Sequence, residues 1–198
     1  MRATVLILCL ALLVGCVRSP DNRPDPGNRN ENAKDGRNTL PRSDLEKEIA
    51  AMKPIDPVDF EKLMPFLPKA PPGYDVEEPE GQSLMLDDRK YTMAERIYRH
   101  DGNTLTATIH DYACVAPLYT SFALYANLDI DLGKEYQKGV TIDDNKGWET
   151  YHKGSKKGEL MMMVGKRYIV HLRANGVPAD FLRGVFTNMD IKGLAALK

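Results

Sequence analysis

His110, Asp111 and Cys114 fall within a five-residue stretch, the densest grouping of reactive side chains in the sequence. A histidine beside a cysteine can serve as the base that generates a thiolate, and both side chains can ligate a metal ion. A lone H-x3-C pattern supplies two ligands, however, where zinc takes three or four. No cysteine-enzyme signature surrounds Cys114. Its neighbours Ala113, Val115 and Ala116 suit a small buried hydrophobe, whose thiolate form is disfavoured. Burial is therefore the expectation, with an enzyme or a metal-binding protein using His110, Asp111 and Cys114 as the alternative. His100, His152 and His171 complete the four histidines. His100 falls in a hairpin turn, and His171 alternates outward from Val170 and Leu172.

Met161, Met162 and Met163 offer three thioethers, ligands that suit Cu(I). Consecutive strand residues point to opposite faces, so the three cannot meet one ion, and packing on both faces is expected instead. Lys153, Lys156, Lys157, Lys166 and Arg167 sit in turns, where they either form a basic patch for an anionic partner or keep the turns solvated and protect sheet edges. The sequence holds no G-x-S-x-G, H-E-x-x-H, P-loop or dinucleotide-binding fingerprint. No catalytic residue, metal ligand or cofactor is assigned, and the expectation is a non-catalytic domain that binds a ligand or a protein.

The elements that must position these residues read as follows. Ser43-Asp44-Leu45-Glu46 matches a capping box and opens a helix to about Met52. Asp56-Pro57 reads as a second helix start, with Val58, Phe60, Leu63, Met64 and Leu67 in an incomplete amphipathic pattern. Tyr91–Arg99 and Thr104–Tyr112 flank His100-Asp101-Gly102-Asn103, a hairpin signal. Thr104, Thr106, Thr108 and His110 share one face of the second strand, and Leu105, Ala107 and Ile109 the other. A helix follows Pro117, with Leu118, Phe122 and Tyr125 on one face. Gly147–Lys153, Glu159–Val164 and Arg167–Arg173 read as three more strands. Pro178 then opens a helix on which Phe181, Val185 and Met189 are expected to cover the sheet, beside Leu182 or Phe186. Runs of strands each followed by a helix give an α+β fold, an antiparallel sheet of about five to six strands covered by helices on one side. The order of elements over about residues 84–190 resembles the PsbP-like sandwich and other small secreted α+β domains, a resemblance that implies a fold and no function.

The N-terminus carries the clearest signal. Met1 and Arg2 precede an apolar run from Ala3 to Val14, the pattern of a secretory signal peptide over residues 1–15. Twelve helical residues span about 18 Å, short of a hydrocarbon core of about 30 Å. Leu13-Val14-Gly15-Cys16 resembles the lipobox of bacterial lipoproteins, which implies cleavage before Cys16 and a lipid on its sulfur. Residues 16–40 then form the lipidated terminus and a tether. From Arg18 to Asn38 prolines, glycines, asparagines and mixed charges leave Ala33 as the sole apolar residue, so the segment is expected to be disordered. Residues 41–198 form the single α+β domain, with a helical segment at its start.

The whole chain has 198 residues, 42% hydrophobic and 28% charged, with a net charge of −1. That balance excludes a wholly disordered chain and a basic nucleic-acid binder. Three cysteines are too few for a disulfide scaffold. The expected partners are the membrane, through the lipid, and an envelope protein. Val17, where an aspartate would favour inner-membrane retention, points to the outer membrane, with the domain facing the periplasm.

Overall fold

Leu45 and Ile49, four residues apart, are the buried stripe of the first helix, α1 (Asp44–Ala50). The computed structural model describes residues 44–86 and 88–198, with the backbone alone at Leu86. The expected signal peptide, Cys16, the tether and the Ser43 cap lie outside the described residues. A second helix, α2, is a single turn over Phe60–Leu63 with Asp59 as its cap residue. It begins three residues after Pro57, later than the Asp56-Pro57 signal suggests, and a 3-10 turn over Met64–Phe66 carries Pro65.

Nine antiparallel strands follow among the described residues: β1 (Asp75–Val76), β2 (Glu80–Leu86), β3 (Arg89–His100), β4 (Asn103–Asp111), β5 (Asp129–Asp131), β6 (Glu135–Ile142), β7 (Asn145–His152), β8 (Lys157–Val164) and β9 (Tyr168–Ala174). Helix α3 (Ala116–Ala126) separates β4 from β5, and α4 (Phe181–Thr187) and α5 (Ile191–Ala196) follow β9. The sheet order is β1-β3-β4-β9-β8-β7-β6-β5, with β2 also paired to β3. The α+β class and the antiparallel sheet agree with the sequence reading, whereas the strand count exceeds the expected five to six. The four additional strands are β1, β2, β5 and β6. They are short, or they carry polar side chains and glycine on both faces, as in Glu80-Gly81-Gln82-Ser83 and Glu135-Tyr136-Gln137-Lys138-Gly139. No apolar alternation announces them, and pairing with a neighbouring strand supplies what their own side chains do not.

The turns explain why the ladder is regular. Asp101 and Gly102 both have positive φ, 46° and 77°, so the β3–β4 hairpin closes on two left-handed residues, as its sequence signal requires. The β6–β7 hairpin does the same with Asp143 and Asp144, at φ 47° and 64°. Aspartate tolerates this conformation through its short polar side chain, but a pair of aspartates is a weaker signal than Asp-Gly.

The sheet has two covered faces, not one. On the first face Leu105, Ala107 and Ile109 of β4, Leu160, Met162 and Val164 of β8, and Tyr168, Val170 and Leu172 of β9 join one core with α2, α4 and α5. On the second, Trp148, Met163 and Ile169 join Leu45 and Ile49 of α1 and Tyr119, Phe122 and Ala123 of α3. The expected face of α3 is corrected accordingly: Tyr119 takes the buried place, and Tyr125 is 41% exposed against Trp148. On α4 the buried residues are Leu182, Val185 and Phe186, with Met189 just beyond. Phe181 is only half-buried and stacks on Tyr74 at 5.8 Å. Arg183 pins α4 to the sheet by donating to both oxygens of the buried Glu149, at 2.6 and 2.7 Å.

Candidate functional site

His110 and Asp111 are neighbours on β4 and therefore turn to opposite faces of the sheet. Asp111 is fully buried. Its Oδ2 accepts from Val58 N at 2.9 Å and Arg167 Nη2 at 2.7 Å, and its Oδ1 from Ala113 N at 3.0 Å and Arg167 Nε at 3.1 Å. Four donors fill the lone-pair positions of a carboxylate, leaving none for a metal or a proton relay. Arg167 Nη2 also donates to Asp56 O at 3.1 Å. The pair ties the segment before α2 to the beginning of β9, a structural role. Cys114 lies beyond the end of β4 in a left-handed conformation, φ 55°, and is partly rather than fully buried. Burial pushes its thiol up, the Arg167 charge opposes this, and Asp111 adds to it. The structure thus does not assemble His110, Asp111 and Cys114 into one reactive centre. Among the described residues no group of three or more His, Cys, Asp or Glu side chains is arranged to hold a metal ion.

The methionines divide as their spacing requires, with Met162 in the core of the first face and Met161 and Met163 with the second. The five basic turn residues do not form one patch. Lys153 and Lys156 lie in the turn before β8, and Lys166 and Arg167 in the turn after it, at opposite ends of the strand. Lys153 pairs with Asp131 at 3.7 Å and Lys166 with Glu48 at 3.3 Å. His100 donates from Nδ1 to Gly73 O at 2.7 Å and so fastens the β3–β4 hairpin to the connector before β1.

What the tertiary structure does bring together is a band of polar side chains on the second face. The two helices on that face, α1 and α3, cover only the part around Trp148, Met163 and Ile169. A Cβ at Gly139 of β6 would lie 2.2 Å from Ala126 O, so glycine is what lets the end of α3 sit against the sheet at that point. Beyond that boundary no helix among the described residues covers the sheet. Register places Glu95 opposite Thr108, Thr108 opposite His171, Thr106 opposite Arg173, Arg173 opposite Glu159, and Glu159 opposite Thr150. These residues occupy alternate positions on β3, β4, β9, β8 and β7, so all face the same way.

Hydrogen bonds order part of this band. Thr108 donates to Glu95 at 2.9 Å, and His171 Nε2 meets Glu159 Oε1 at 2.5 Å. Burial pushes Glu159 up, but the His171 hydrogen bond and the charges of His171, Arg173 and His152 outweigh it and hold the carboxyl below its ordinary range. His110, at the inner end of the band, stacks on Tyr112 at 5.2 Å and lies 6.5 Å from His171. Burial pushes it down to about 3, and the charges of His171 and Arg173 add to that, so it is neutral at pH 7. His152 of β7 pairs through Nδ1 with Glu135 at 2.6 Å. At the border with α3, Trp148 Nε1 and Gln137 Nε2 are buried without a hydrogen-bond partner among the described residues, so this edge has unmet donor capacity.

Glu95, Thr106, Thr108, Thr150, Glu159 and Arg173 are the residues that sequence reasoning did not single out. Part of the signal was present in the alternation of Thr104, Thr106, Thr108 and His110. The other strands contribute through cross-strand register, which no single segment encodes.

No protein-family model matches the chain, and no curated protein matches it. The X-ray structure of an uncharacterized protein from Mycobacterium smegmatis is similar over 79% of this chain and 95% of that one, at 13% identity and a TM-score of 0.30. At those values the likeness carries no argument about fold or function.

Proposed function

We propose that this chain is a lipid-anchored protein of the bacterial cell envelope whose α+β domain binds a ligand or protein through the open part of the second sheet face, without catalysing a reaction. The anchor is the lipid on Cys16 implied by the lipobox, and Val17 directs the protein to the outer membrane, facing the periplasm. The observation that supports the binding surface is the incomplete cover of the sheet. The first face is closed by α2, α4 and α5, and α1 and α3 close only part of the second. The remainder presents charged and hydroxyl side chains over a rigid, hydrogen-bonded floor, the arrangement in which polar contacts lose little entropy on binding.

The test is site-specific photo-crosslinking in intact membranes. A photoreactive residue at Thr106 or Thr150, in the open face, is expected to give discrete adducts. The same residue at Asn188, beyond α4 and behind the first face, is expected to give none. Equal adduct patterns at all three positions would overturn the assignment of the face. Density-gradient separation of the two membranes tests the location independently.

A further inference from the structure

The uncovered face holds two exposed cations, one in a loose ion pair and one with no ion pair among the described residues. Arg173 has 51% of its side chain exposed, and the carboxylate paired with it, Glu95, is 3.9 Å away, beyond hydrogen-bonding distance. Lys157 is exposed and has no ion-pair partner among the described residues. Both line one cavity of about 480 Å³, together with Thr106, Thr150, His152 and the carboxylate of Glu159. Register sets Arg173 beside Thr106 and Lys157 beside His152. The nearby carboxylates are already engaged, Glu159 by His171 at 2.5 Å and Glu135 by His152 at 2.6 Å. The hydroxyls of Thr106 and Thr150, both on the cavity wall, make no hydrogen bond among the described residues and can donate to a bound group.

Resting on the reading of this face as the binding surface, we infer that the cavity binds an oxyanion, a phosphate or carboxylate group carried by the ligand. Arg173 engages two of its oxygens through the planar guanidinium, Lys157 supplies a second positive charge, and the threonine hydroxyls donate at the flanks. The paired strands fix the spacing of the backbone positions that carry Arg173 and Thr106.

The experiment is a titration of the detergent-solubilised full chain at low ionic strength, where surface charges are least screened. Calorimetry and the emission of Trp148, the sole tryptophan, report binding. The probes are inorganic phosphate, acetate and glycerol 1-phosphate. Saturable binding of at least one probe is expected, weakened about tenfold or more by Arg173→Gln and by Lys157→Gln. Lys192→Gln, on α5 at the other face, is expected to leave it unchanged. Tighter binding of glycerol 1-phosphate than of inorganic phosphate assigns a lipid headgroup, and equal binding assigns a free oxyanion. Lys157→Gln keeps the test sound if Arg173→Gln misfolds, because Lys157 is exposed and has no ion-pair partner among the described residues. Absence of saturable binding with all three probes, or unchanged affinity in both variants, overturns the inference. Crosslinks at Thr106 and Thr150 in that event would leave the binding face standing and remove only its proposed chemistry.

Discussion

His110 makes a pH signature that one substitution should erase. In an unfolded chain a histidine titrates near pH 6.5. In the folded protein burial, with the charges of His171 and Arg173, pushes His110 down to about 3. Between those two values the unfolded chain carries a proton that the folded chain refuses, so stability is fully present above pH 6.5 and falls as the pH drops towards 3. At about 1.36 kcal/mol per pH unit, lowering the pH from 7 to 5 costs at most about 2 kcal/mol. Solvent reaching the edge of the partly buried ring reduces that figure. Against a total stability of about 5–15 kcal/mol the effect is readily measured. His110→Phe keeps a flat ring against Tyr112 and removes the titrating group. Urea denaturation of both proteins at pH 7 and pH 5 should show a fall in the wild-type midpoint that the variant lacks. The window is chosen because Glu149 and Glu159 are held low and contribute their own loss below about pH 4.3. An equal fall in both proteins would refute the assignment of His110 as the buried neutral histidine.

Three further outcomes follow from the packing and the anchor. Phe186→Ala removes a fully buried ring and should cost about 3–5 kcal/mol, whereas Phe181→Ala, at a half-buried site, should cost clearly less; chemical denaturation ranks the two. Arg167→Met leaves Asp111 charged and buried and should cost about 3–5 kcal/mol. Adding Asp111→Leu should not restore stability fully, because Val58 N and Ala113 N then lose their acceptor at about 1–3 kcal/mol each; thermal unfolding of both variants checks this. Cys16→Ser should abolish the lipid mass while leaving the circular dichroism of the folded domain unchanged, and mass spectrometry of the wild-type chain should find a mature, modified N-terminus at Cys16.

The elements legible in the sequence were those whose own side chains specify them. The alternation of Leu105, Ala107 and Ile109 with threonines marked β4, and Asp101-Gly102 marked its hairpin, because both signals are local and sterically exacting. The face of α4 was harder, since Phe181, Leu182, Val185, Phe186 and Met189 form a stripe wide enough to dock at more than one rotation. Burial of Leu182 and Phe186 was decided by the sheet beneath them and by Arg183 reaching Glu149. The polar strands β2 and β6 were silent in the sequence because their stability comes from neighbours in the sheet.

The chemistry divides along the same line. The resemblance of Leu13-Val14-Gly15-Cys16 to a lipobox lies in contiguous residues after an apolar run, so the proposed anchor rests on the sequence alone. His110-Asp111 illustrates the opposite limit: adjacency in sequence set the two side chains on opposite faces, one stacked on Tyr112 and the other bound to Arg167, 56 residues away. Arg173, Glu159, Thr106 and Thr150 are scattered along four strands, and only the pairing of β4 with β9, β9 with β8 and β8 with β7 makes them one surface. Composition and local periodicity decide which segments are strands and helices. Which polar faces remain uncovered is decided by where the helices dock, a property of the whole packing that no stretch of sequence holds alone.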